Sequence, residues 1–116
     1  MDTDTEPQPD PVSDPNIATI VDMLLDDTSL ACLSVPAALA AETATLLRST
    51  GIQPVAASQV ADLLERSLLG DLCLLNLHHC EAVELLLGDI TDTALPTAVR
   101  AGQIASLFGS RRRAAP

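Results

Sequence analysis

The chain has no lysine, no tryptophan and no tyrosine, and Phe108 is its one aromatic residue. Without ring area, a core must be assembled from many small aliphatic contacts, here chiefly leucine and alanine with valine and isoleucine as a minority. Positive charge is equally scarce. All six basic residues are arginine, against 16 acids, for a formal net charge of −10 over 116 residues. Residues 16–109 hold eleven acids and only Arg48, Arg66 and Arg100. Such a surface repels a phosphate backbone, so nucleic acid is not expected as a partner; a protein with a basic surface is. No apolar run is long enough to cross a bilayer, and no basic stretch followed by an apolar run opens the sequence. Neither membrane association nor a secretory signal is therefore expected. Cys32, Cys73 and Cys80 are odd in number and lie in apolar surroundings, which points to reduced thiols and a cytoplasmic location.

Residues 1–15 are acidic, with prolines at 7, 9, 11 and 15. Nothing in them can be buried to offset the entropy of ordering, so they are expected to form a disordered tail. One globular domain is expected over 16–109. A flexible basic tail, with Arg111, Arg112 and Arg113, is expected over 110–116.

Ile17, Ile20, Val21, Leu24 and Leu25 share one helical face, which predicts a helix over 17–25 capped by Asn16. The apolar run 29–35, bounded by a turn and Pro36, has the length of a buried strand. Pro36 suits the first turn of a helix over 37–49, with Leu39, Thr43, Leu46 and Leu47 on a stripe and Gly51 as its stop. Residues 52–56 read as a second strand, at an edge because of Pro54. Ser58 caps a helix expected over 59–69, and Gly70 stops it. The nearly continuous apolar run 71–77 reads as a strand covered on both faces. A short helix over 81–87 ends at Gly88, residues 91–97 fit neither pattern, and a last helix over 99–108 ends at Gly109. Alternation of this kind predicts an α/β fold, a small parallel sheet of three to four strands flanked by helices in a flavodoxin-like layout. The alternative is an all-α helical bundle in which 71–87 forms one buried helix.

The order of these elements, and the segment Gly70-Asp71-Leu72-Cys73-Leu74-Leu75-Asn76-Leu77, resemble the receiver domain of bacterial response regulators. In that family the last strand closes on an aspartate that accepts a phosphoryl group, and Asn76 matches that position. The resemblance implies a flavodoxin-like fold and a signalling role. It also implies a domain stripped of its chemistry, a pseudo-receiver. An amide is a poor nucleophile, the matching acidic strand end reads Leu33-Ser34-Val35, and the family's phosphate-pairing lysine has no counterpart.

Other constellations argue against chemistry. His78, His79 and Cys80 with Cys73 lack the paired spacing of a zinc site, so no metal or other cofactor is expected. Cys80 lies beside Glu81 and Glu84, whose charge opposes a thiolate nucleophile. The stretch 100–111 resembles the first helix and turn of a helix-turn-helix, but no recognition helix follows. Residues 77–107 resemble acyl carrier proteins, yet no serine lies near His79 to carry the prosthetic arm. The expectation is therefore a non-catalytic regulatory protein–protein interaction module unable to accept phosphate. Its candidate surface is Ser34, Asn76, His78 and His79, at the carboxyl edge of the sheet where ligands of open α/β folds gather. The alternatives are a helical homodimeric regulator of phage or toxin-system type and a nucleic-acid-associated regulator using the three terminal arginines.

Overall fold

Leucine and alanine dominate the chain, and helices dominate the fold. The computed structural model describes residues 15–115. In chain order these form α1 (Pro15–Leu25), β1 (Leu33–Pro36), α2 (Ala37–Ser49), α3 (Pro54–Arg66), β2 (Leu68–Leu69), β3 (Leu72–Leu75), α4 (Leu77–Thr91) and α5 (Ala98–Ala114). The acidic segment expected to be disordered lies outside the described residues except for Pro15, which opens α1. Asn16 therefore lies inside the helix rather than capping it. Among the described residues no helix is long and apolar enough to cross a membrane.

The expected parallel, flavodoxin-like sheet does not form. The sheet is small and antiparallel, with strand order β1-β3-β2. Two local causes account for the difference. First, Leu68 and Leu69 leave the helix expected over 59–69 and pair with Cys73 and Leu72. Only Gly70 and Asp71 connect these strands, and so short a link permits antiparallel pairing alone, since a parallel pair needs a crossover of about a dozen residues. Gly70 supplies the turn with φ +62°. Second, 52–56 is not a strand. Gly51 and Gln53 adopt positive φ, turning the chain from α2 directly into α3, and Pro54 takes the first helical position. The all-α alternative is nearer in helix content, but 71–87 is a strand followed by a helix. With the parallel sheet goes the frame of the receiver resemblance, because residue 76 no longer closes a central parallel strand.

The sheet turns one face inward through Leu33, Val35, Cys73 and Leu75, all buried. Around it pack two helix pairs, α2 with α3 and α4 with α5, while α1 lies mainly on α4. Phe108 is fully buried together with Leu47, Leu64, Leu86, Leu87, Ile90 and Ile104. The Asp71 carbonyl, in the hairpin turn, accepts the Ala37 N–H at 2.8 Å and so satisfies a donor at the start of α2.

Arginines tie the elements together at the surface. Arg48 of α2 pairs with Asp62 and Glu65 of α3, Arg100 of α5 with Glu42 of α2, and Arg112 of α5 with Glu84 of α4. Helix α5 continues through Arg111, Arg112 and Arg113, where a flexible tail is expected from the sequence. Arginine is a good helix former, and three cations at a helix C-terminus complement its dipole. Arg111 Nη1 donates to the Ser34 carbonyl at 3.0 Å, which covers part of the outer edge of β1.

Candidate functional site

An antiparallel sheet has no common carboxyl edge, and the four residues placed there do not converge. Ser34 lies in β1, half-buried, with its carbonyl turned to Arg111. Asn76 is buried, at 3% exposure, and caps α4. Its Oδ1 accepts the His79 N–H at 2.7 Å, while Nδ2 donates to the Ser29 carbonyl at 3.1 Å and the Asp27 carbonyl at 3.5 Å. The amide thus fastens the loop between α1 and β1 to the start of α4. His78 is exposed, and its Nδ1 lies 3.1 Å from Asp27 Oδ2. His79 lines a shallow cavity of about 380 Å³ with Asp22, Asp26, Asp62 and Arg66, and its buried Nε2 has no hydrogen-bond partner among the described residues. Asn76, His78 and His79 therefore gather around one loop, and Ser34 stands apart from them.

The thiols lie in different settings. Cys32 is exposed, and Cys73 and Cys80 are buried. Burial pushes the Cys73 thiol up to about 11. Burial, with the Glu84 carboxylate adding to it, pushes Cys80 up to about 12. Cys80 Sγ donates to the Phe108 carbonyl at 3.4 Å and to Glu84 at 3.5 Å, the geometry of a core thiol. Among the described residues no group of three His, Cys, Asp or Glu side chains could hold a metal ion.

The feature built like a binding site lies elsewhere. A groove of about 760 Å³ runs between α1, α4 and α5. Helix α1 lends it Ile17, Ile20 and Leu24, residues on one helical face, while among residues 17–25 only Val21 is fully buried. Leu85 of α4 and Ala105 of α5 continue the apolar lining, with Gly88 and Gly102 between them. Carboxylates ring it: Glu81, Glu84, Asp89 and Asp92. Of these, Glu84 is neutralised by Arg112, whose Nε and Nη2 approach its two oxygens at 2.6 and 3.1 Å. No cation among the described residues lies within ion-pair distance of Glu81, Asp89 or Asp92.

Ile17, Ile20 and Leu24 share the helical face expected from the sequence, with Ile17 and Leu24 also packed against the core, whereas Gly88, expected to stop a helix, lies within α4. The sequence carries two partial signals, a broad apolar face on α1 and Gly102 inside a helical pattern, but neither relates the two walls of the groove. No family model matches the chain, and no curated protein or solved structure matches it.

Proposed function

We propose that this chain is a non-catalytic regulatory module that binds another protein, taking a cationic, amphipathic segment of that partner into the groove between α1, α4 and α5. The observation that carries the reading is the pairing of an apolar lining with three carboxylates, Glu81, Asp89 and Asp92, that no cation among the described residues approaches to ion-pair distance. Apolar contact supplies affinity in such a site, and the rim selects a basic partner and speeds its encounter. Asn76 is committed to holding a loop and a helix end, which supports a module that takes no phosphate there. Three free cysteines agree with the cytosol as its compartment. Arg111 and Arg112 are engaged within the chain, which favours a protein partner over nucleic acid.

A labelled peptide of about 18 residues, five helical turns, with leucines on one face and lysines on the other, tests this against the full chain. Fluorescence anisotropy should show saturable binding that Leu85→Lys weakens by roughly tenfold or more. The same lysines and leucines in an order without helical periodicity should bind far less. Equal binding of the two peptides would mean that bulk charge alone attracts them, and the groove would lose its role.

A further inference from the structure

The five glycines of the chain divide into two groups. Three have a reason within the fold. Gly51 and Gly70 sit at φ +73° and +62°. At Gly109 an added Cβ would come 3.2 Å from the Arg113 guanidinium and 3.3 Å from the Glu84 carboxylate, tighter than ordinary packing. Gly88 and Gly102 have no such reason. They lie inside α4 and α5 without positive φ. A Cβ at Gly88 would meet nothing within 4 Å, and one at Gly102 would rest at an ordinary 3.7 Å from the Thr91 side chain. Glycine loses more backbone freedom in a helix than alanine does, so both positions weaken the free protein without any return inside it. Both line the same groove.

Resting on the reading of that groove as a docking site, we propose that Gly88 and Gly102 are clearances for a partner helix. The occupant is a cationic amphipathic helix that crosses α4 and α5 at these two points with its backbone close to theirs, while its lysines or arginines reach Glu81, Asp89 and Asp92. The distance between packed helices is set by the side chains at their crossing, and glycine permits the closest approach. The straight apolar face that Ile17, Ile20 and Leu24 present along α1 suits a helix laid into a groove. Charge excludes the two occupants nearest at hand. A second copy brings net charge −10 to an acidic rim, and residues 1–14 carry five acids and no basic side chain.

The test is a pair of opposite shifts. Gly88→Ala and Gly102→Ala in the full chain should each raise the melting temperature by about 2–6 °C, because a helical glycine is replaced without a clash. Each should also weaken the leucine–lysine peptide by about fivefold or more. Higher melting temperature with unchanged affinity, while Leu85→Lys still abolishes binding, would overturn the clearance and leave the groove standing. A lower melting temperature would also overturn it, by revealing an internal need for glycine. Binding unmoved by all three substitutions would overturn both the clearance and the groove.

Discussion

Asn76 shows why one side-chain atom decides a residue's role. An aspartate there could accept the His79 N–H as well as asparagine does, but it could not donate to the Ser29 and Asp27 carbonyls. Asn76→Asp would aim a carboxylate at two carbonyl oxygens in a buried position. It should destabilise the fold by about 1–3 kcal/mol, visible as a lower midpoint in urea denaturation. The loop that Asn76 fastens also carries Asp27. The Ser29 hydroxyl above all, then the Ser29 backbone N–H and His78, hold the Asp27 carboxyl below its ordinary 3.8, with burial opposing them less than the hydroxyl favours them. The fold favours the ionised form, so its contribution is complete above 3.8 and is lost as the pH falls through the lowered value. Asp27→Asn should therefore melt below the parent at neutral pH, and the gap should narrow progressively in melts recorded at pH values falling below 3.8. The cysteines give a third expectation. Iodoacetamide at pH 8 should alkylate Cys32 in the native protein and spare Cys73 and Cys80, whose thiols stay protonated and covered. Intact mass should show one adduct natively and three after unfolding; rapid native labelling of a second thiol would contradict the packing of Cys73 against Leu64 or of Cys80 against Phe108.

Helices were legible in the sequence where an apolar stripe met a clear boundary, and α2 follows its predicted span from Ala37 to Ser49. Strands were legible as apolar runs, near 29–35 and 71–77, but their direction was not. Direction depends on how much chain returns to the sheet, and that turned on Leu68 and Leu69, which have the composition of a helix end and the environment of a hairpin. Local preference was overridden there by pairing with β3, which tertiary context often does to short segments. Pro54 shows the same ambiguity from the other side. As a strand residue it lacks a donor, whereas as the first residue of α3 that missing donor costs nothing. Of the candidate surface, Asn76 caps a helix instead of presenting a contact; the cap needs only the three residues to His79, whereas its carbonyl partners lie 47 and 49 positions away. The groove was hidden because its two walls, 17–24 and 81–112, have no relation in sequence spacing.

At the scale of the molecule, the distribution of charge says more than its sum. Arg48, Arg100 and Arg112 are each committed to carboxylates on a neighbouring helix. The Arg48 and Arg100 pairs are exposed and the Arg112–Glu84 pair is half-buried, so they serve mainly to fix how the helices lie. Arg112 neutralises Glu84 at the groove and tempers Glu81, while Asp89 and Asp92 stand beyond ion-pair distance of any cation among the described residues, so the rim stays net negative. Binding of the leucine–lysine peptide should accordingly weaken as salt rises and retain a residual, salt-resistant part from the apolar contact.

The wall built by α1 and the wall built by α5 belong to opposite ends of the described chain, with α4 between them. A ribosome delivers the first wall long before the second. Until α5 emerges the nascent polypeptide therefore has no complete groove to offer, and a partner meets a competent surface only once α5 has docked.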